Sequence, residues 1–578
     1  MEDKMSVAHA RELETTNRQA PSFRLKRCDT IRTPLAGRHM RKRSNQNGHG
    51  NGRKPAKNRR KQKPAVEGSH DEVLLLDIQA LLEAQKLSDD VAGEEPAEAN
   101  PLPEQGSEIE VEVVEQSSTG DGLALQKGSK QVYVVPFTVK GDIVKVKAYR
   151  QIHGQGYTQA DFISVIKPSP LRDDSRIKCQ YFSKCSGCQF QMLDYSEQLK
   201  LKRDIVVKAY RNFSQLAPEL VPEILDTIGS PLEYGYRTKL TPHFDGPPGA
   251  NRRGPKKFLC ARPSIGFTPK TSRKVLDIED CPIATEAVRK GLTAERERME
   301  TEFGQYTKGA TILLRESTQR MPKPADGEPT PAPPADTVHV VDSATHTDYK
   351  TCITDNNATS TEYIDSFIFT NPAGSFFQNN NSILPPFTAH IREHILPPTP
   401  APDSKPIRNL IDAYSGSGLF TITQASLFPG GSIGIDIAGK SIEFARRNAV
   451  LNGLAESQCR FLAADAPELF KSVNSTYDPD ETVVVIDPPR KGCDASFLLQ
   501  LLQFAPRRVV YVSCNVHTQA RDVGVLVRGE AEGLQEKAEE GAEKKRRVRY
   551  DIESIRGFDF FPQTGHVEGV AILNRIEI

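Results

Sequence analysis

No run of 18 apolar residues occurs in the 578 residues of this chain, so the sequence offers no candidate for a membrane-spanning helix. The opening Met1-Glu2-Asp3-Lys4 contains no apolar stretch of the kind a secretory leader needs, and its early acids argue against a mitochondrial transit peptide. Ten cysteines are too few to staple a chain of this length into a disulfide scaffold. In an intracellular protein, clustered cysteines more often bind metal or do chemistry. A charge excess of one sign is also missing: 76 Lys and Arg stand against 75 Asp and Glu, a net of +1. The near-zero net hides segregation, because fifteen Lys or Arg and one acid, Asp29, fall between Arg24 and Lys63.

At 64.0 kDa the chain is too long for one ordinary core, and two to four domains are expected. Hydrophobic residues make up 37%, charged residues 26%, and the mean hydropathy is −0.49, a soluble composition diluted by polar stretches. The basic segment has almost no large apolar residues and reads as a disordered tail, for nuclear import, RNA binding or solubility. Residues 65–108 turn acidic and read as a linker with one helical patch, DEVLLLDIQALLEAQ. From about 107 the runs IEVEVVEQ, KQVYVVPF and DIVKVKAYR are Val- and Ile-rich with partial alternation, punctuated by glycines, which predicts a small β-barrel of oligonucleotide-binding type to about 170. A mixed α+β region follows over 171–370, with a Pro-rich insertion at 321–336. From about 405, strands IRNLIDAY, GSIGIDI, VVVIDPP and RRVVYVSC alternate with helical stretches such as GKSIEFARRNAVLNG, which predicts an α/β, doubly wound parallel sheet. A charged insertion at 529–549 interrupts this last domain, assigned to 371–578.

Five motifs carry chemistry. In Asp412-Ala-Tyr414-Ser-Gly416-Ser-Gly418-Leu-Phe420, between a strand and a helix, two glycines let backbone approach a ligand closely. The third glycine of a dinucleotide fingerprint is absent, since position 421 is Thr. Asp436, at the end of the next strand, is placed to accept hydrogen bonds from ribose hydroxyls. Asp487-Pro488-Pro489-Arg490 follows the strand TVVVI, where open α/β sheets place their ligands. Together they favour a methyltransferase cofactor, which has an adenosine to cradle and no pyrophosphate to neutralise, over a nicotinamide dinucleotide or a plain structural turn. Ser513-Cys514-Asn515 ends the strand after that, and a cysteine thiolate there suits conjugate addition. In His566-Val-Glu568, a partly desolvated carboxylate would take a proton near neutral pH. Finally, Cys179, Cys185 and Cys188 lie within ten residues, with Cys281 as the expected fourth ligand of an iron–sulfur cluster or a structural zinc.

Taken together over residues 107–578, these motifs and Phe376-Phe377-Gln378-Asn-Asn380 resemble the RNA uracil-C5-methyltransferases. The resemblance implies an N-terminal TRAM-type barrel, a central domain and a Rossmann-like domain that uses S-adenosylmethionine. It implies that Gln378, Tyr414, Asp436 and Asp487 line the cofactor site, that Cys514 is the nucleophile and that Glu568 is the base. The four cysteines are similar to the 4Fe-4S site of some bacterial members. By layout, the implied partner is tRNA at uracil 54, with ribosomal RNA as runner-up. A monomer in the nucleus or cytoplasm is expected, with the mitochondrion as a further location. The sequence departs from the family pattern at Val516, where proline often follows Ser-Cys-Asn. Two competing readings are a nicotinamide-dependent dehydrogenase, against which the missing glycine and the Cys514/Glu568 pair count, and an RNA-binding scaffold without turnover.

Overall fold

The structure is a computed structural model that describes residues 67–92, 102–152, 155–249, 256–270, 272–325, 332–398, 405–464, 473, 476–530 and 548–577. The basic segment 24–63, residues 326–331 of the Pro-rich insertion and 531–547 of the charged insertion lie outside the described residues.

Five strands, β1 (Glu108–Gln116), β2 (Gly122–Leu125), β3 (Val132–Val135), β4 (Ile143–Ile152) and β5 (Tyr157–Lys167), close into the expected barrel in the order β1-β2-β3-β5-β4. Alternation along β1 and β4 turns Val111, Val113, Val144 and Val146 inward against Tyr133, Val135 and Ala160. A second apolar face remains on the outside: Leu123, Val132, Val134 and Tyr157. Helix α1 (His70–Ala92) covers it with Leu74, Ile78 and Leu81. The reading of this segment as a linker is therefore corrected. Its leucines repeat at helical spacing because they have a partner surface.

The catalytic sheet has eight strands, in the order Cys459–Ala463, Gly431–Asp436, Asn409–Ala413, Thr482–Ile486, Arg508–Ser513, Glu568–Glu577, Val548–Phe558 and β6 (Leu225–Ile228). The first five run parallel, and Glu568–Glu577 enters antiparallel. Every residue of TVVVI is buried, as a strand covered on both faces requires. Alternate residues serve two cores. Ile411, Val484, Ile486 and Val509 face one, and Leu410, Val483, Val485 and Val510 face the other. Each such side chain stabilises the fold by about 1.5–3 kcal/mol.

Two four-stranded antiparallel sheets and the helix Glu286–Glu302 make up most of the central region. The boundary at 370/371 needs correction, because α2 (Tyr195–Phe213) and β6 belong with the catalytic sheet. Ile205, Val206, Ala209 and Phe213 join the same core as Val523 and Val527, and β6 pairs with Arg556 and Phe558. Met321 and Pro322, assigned to the Pro-rich insertion, end a strand paired with Thr347 and His346. Among the described residues, no helix is long and apolar enough to cross a membrane.

Candidate active site

The site lies along one edge of the catalytic sheet. At one end, the turn after Asn409–Ala413 is built from left-handed residues, with φ of +66° at Tyr414, +54° at Gly416 and +92° at Gly418. A Cβ on Gly418 would stand 2.9 Å from the Phe461 ring, so glycine is needed there for space as well as conformation. A Cβ on Gly416 would meet nothing within 4 Å, which leaves open room beside the backbone. The Asp436 carboxylate faces that room. One oxygen accepts from Gly416 N (3.0 Å) and the other from Ala438 N (2.8 Å), so the group is fixed while each oxygen keeps a free lone pair. Ser415 Oγ and Asp412 Oδ1 are buried with no protein partner, and Ile437, 71% exposed beside Asp436, offers an apolar face. Open space, an oriented acceptor, unpaired polar atoms and an apolar flank fit an adenosine-bearing cofactor. Sequence reasoning missed Ile437, although it directly follows the predicted acid.

Tyr414 opens the same turn. Its ring packs on Phe497 (centroids 5.4 Å apart), and burial, followed by the Cys493 thiol, raises its hydroxyl. What it gives the turn is its strained backbone. Gln378 is buried in a segment tied to both neighbouring regions. The Arg315 guanidinium donates to Asn379 Oδ1 (3.1 Å) and pairs with Glu362, while Asn380 Nδ2 donates to the Phe560 carbonyl (3.3 Å). Phe377 is buried against Phe369, whereas Phe376 is 76% exposed.

At the other end, Ser513 stands opposite Gly569, so the next antiparallel step sets Cys514 against Glu568. Glu568 is 1% exposed, and no group among the described residues donates to either oxygen. Burial, then the neighbouring Asp487 carboxylate, holds its carboxyl well above the usual range, with Arg490 opposing. Asp487 is itself raised to about 7 by burial and by Asp412, and Asp412 to about 7 by burial and, in smaller part, by Asp436. Cys514 is half-buried. Lost solvent, then Glu568 and Asp487, push its thiol up to about 12, against the Arg490 guanidinium that contacts it. The structure thus brings together Cys514, Glu568, Asp487 and Arg490, and a row of carboxyls joins them to Asp436.

The segment leading into Glu568 is held by distant residues that no sequence motif singles out. Fully buried Lys202 pairs with Asp559 and donates to the Phe561 carbonyl (2.9 Å). Tyr195 donates to Asp559 Oδ2 (3.0 Å), Gln198 Oε1 accepts from Gln563 N (3.0 Å), and Gln189 Oε1 accepts from Gly565 N (2.9 Å). Deleting one partner of a buried pair such as Lys202–Asp559 costs about 3–5 kcal/mol.

Among the described residues, no group of three or more His, Cys, Asp or Glu is arranged to hold a metal ion. Cys179, Cys185, Cys188 and Cys281 are near enough that their charges would raise one another, and burial raises all four thiols. Cys179 and Cys188, however, pack against a cluster containing Phe182 and Phe190, while Cys281 packs against another containing Leu240 and Ile265.

The family model described as tRNA (Uracil-5-)-methyltransferase matches residues 355–531. The chain is 42% identical over 518 residues to the tRNA (uracil(54)-C(5))-methyltransferase of Schizosaccharomyces pombe, covering 90% of this chain and 86% of the relative. The chain belongs to the tRNA (uracil-5-)-methyltransferase family. The Saccharomyces cerevisiae tRNA (uracil(54)-C(5))-methyltransferase is 41% identical over 495 residues, covering 81% and 73%. The Pyrococcus abyssi tRNA (uracil-54, C5)-methyltransferase, solved with S-adenosyl-L-homocysteine, shares the fold of this family member with a TM-score of 0.52 and 23% identity, over 80% of this chain and 99% of that one.

Proposed function

We propose that this chain transfers a methyl group from S-adenosylmethionine to C5 of uridine 54 in tRNA, through a covalent bond between Cys514 and the uracil. The observation that carries the reading is the closeness of Cys514, one residue past the end of its strand, to Glu568 at the start of the antiparallel neighbour, beside Asp487 and Arg490. The uracil position follows the names of the two fungal relatives.

Uracil C5 is too weak a nucleophile to be methylated unaided. Addition of the Cys514 thiolate to C6 breaks the C5–C6 double bond and leaves an enolate with charge at C5. Bound along the Asp412–Phe420 turn, with Asp436 toward its ribose and Gln378 and Asp487 beside it, S-adenosylmethionine would supply an electrophilic methyl group. With the methyl group on C5, the Glu568 carboxylate takes the C5 proton. The electron pair of that C–H bond reforms the C5–C6 double bond, and the Cys514 thiolate leaves. Glu568 then loses the proton to water.

The substrate-free thiol is protonated at neutral pH, so the thiolate arises during the reaction by loss of its proton to water, and Arg490 is the cation at hand to favour it. The unpartnered Glu568 oxygens leave their lone pairs free for the C5 proton. The target base must leave its stack to reach this edge. Exposed Phe376 and Arg490 are suited to meet it.

The test is Cys514→Ala with tRNA transcripts carrying U54 or C54. Methyl transfer to the U54 transcript should be lost in the variant while calorimetric binding of S-adenosylhomocysteine is unchanged. Normal turnover by the variant, or equal methylation of the C54 transcript by wild type, would overturn the reading.

A further inference from the structure

Residues 67–92 precede the barrel and lie far outside the matched segment 355–531, yet their first turn touches the nucleophile loop. The Gly68 carbonyl accepts from Asn515 Nδ2 (3.2 Å). The same amide nitrogen donates to the Arg490 carbonyl (2.9 Å), and Asn515 Oδ1 accepts from His517 N (3.2 Å), which caps the helix Val516–Arg528. Both donors and the acceptor of Asn515 are thus committed, one of them to Gly68. Glu67 pairs with Arg521 (3.1 Å), and Arg521 donates to the carbonyls of Lys491 (3.1 Å) and Cys493 (3.2 Å). The two turns reached in this way carry Cys514 and Arg490.

Gly68 is clamped. Its N–H donates to Glu72 Oε2 (2.6 Å), its φ is +67°, and a Cβ there would stand 2.3 Å from Thr518 Cγ2. Further along, Val73 enters the catalytic core, while Leu74, Ile78 and Leu81 dock on the barrel. Asp77, 2% exposed, accepts from Ser118 N (2.6 Å) in the barrel. One helix therefore ties the barrel to the loop on either side of the nucleophile. That loop continues with Val516, which lacks the fixed φ a proline would bring.

We propose that residues 67–78 are a positioning strap, in which Gly68 and Glu67 hold the Arg490 and Cys514 turns in register so that the guanidinium stays against the sulfur. The proposal rests on Cys514 being the nucleophile. A helix that served stability alone would have no reason to complete the hydrogen bonding of Asn515.

The test uses the full chain with Gly68→Ala, Thr518→Ser and the double variant, reading kcat, KM for each substrate, melting temperature, and the rate of Cys514 alkylation by iodoacetamide against pH. Gly68→Ala should lower kcat by about tenfold or more, since misplacements near 1 Å carry penalties up to about a hundredfold. The KM for S-adenosylmethionine should stay unchanged, and the alkylation profile should move to higher pH. Thr518→Ser removes the methyl group that the new Cβ would strike and keeps the hydroxyl, so alone it should behave as wild type, and in the double variant it should restore most of kcat and of the alkylation profile. Glu67→Ala, an exposed change that leaves the helix intact, should give a smaller loss in the same direction. Unchanged kcat and alkylation in Gly68→Ala, or a fall in melting temperature with kcat intact, would overturn the strap. Wild-type protein inactive on tRNA would instead sink the functional reading, and the alkylation profiles would still report on the strap.

Discussion

Two carboxylates mark the ends of the active site, and they are treated in opposite ways. Asp436 stands partly open to solvent with both oxygens fixed by backbone N–H groups. Glu568 is 1% exposed with neither oxygen engaged. The difference follows from the work each is assigned. A group that grips a ribose must hold its position, and the two backbone donors fix it. A group that takes a proton must bind that proton well, which dry surroundings and the neighbouring acid Asp487 ensure. Asp412 and Asp487, both near 7, stand between the two.

The largest effect should come from the dry end. Glu568→Gln keeps the shape but cannot take the C5 proton, so turnover should fall by about 10²–10⁴-fold. The enzyme should stall bonded to methylated RNA. A heat-stable, slow-migrating band that requires S-adenosylmethionine and vanishes in the Glu568→Gln/Cys514→Ala double variant would show this; turnover at the wild-type rate would mean that another residue is the base. At the open end, Asp436→Ala removes an acceptor whose hydrogen bonds contribute roughly 1.5–3 kcal/mol, or about one to two decades in cofactor affinity. Calorimetry with S-adenosylhomocysteine reads it, and an unchanged Kd would erase the contrast between the two acids.

The middle of the row should show itself in pH dependence. Asp487 raises the Cys514 thiol and Arg490 lowers it. In Asp487→Asn the alkylation profile of Cys514 should move to lower pH, and in Arg490→Met to higher pH. Shifts of the opposite sign would contradict the charge map.

The smallest effect concerns Asp412. Its carboxyl is near 7 folded against an ordinary 3.8, so the stability it contributes in acid is lost as pH rises through that interval. Between pH 5 and 8, the melting temperature of Asp412→Asn should fall less than that of wild type, and parallel curves would show that Asp412 does not titrate there.

The parts of the site legible in the sequence were local. The turn around Gly416 and Gly418, Asp436 at a strand end, and the Asp487 and Cys514 motifs each follow a buried strand, so short-range pattern predicts their placement on one sheet edge. The approach of Glu568 to Cys514 was legible only through resemblance, because it depends on an antiparallel register formed after the charged insertion. The docking of α1 was unreadable for a similar reason: DEVLLLDIQALLEAQ shows an apolar stripe, but nothing in it names the barrel as its partner. The Cys179–Cys188 spacing suggested a ligand set, and the fold brings those thiols near Cys281, a closeness that the local spacing alone did not reveal.

The anchoring of the segment before Glu568 bears on how the protein is made. Lys202 meets Asp559 across 357 residues, and Gln189 meets Gly565 across 376. These are contacts of very high sequence separation, slow to form and entropically costly to close. On the ribosome, α2 and β6 emerge long before the segment that leads into Glu568, and the buried Lys202 of α2 lacks its carboxylate partner Asp559 until that segment arrives. The cofactor turn can assemble without that segment, whereas the base cannot. A nascent or truncated chain could therefore bind a nucleoside at the Asp436 end without being able to complete a methylation, and catalytic competence arrives as one of the last events of folding.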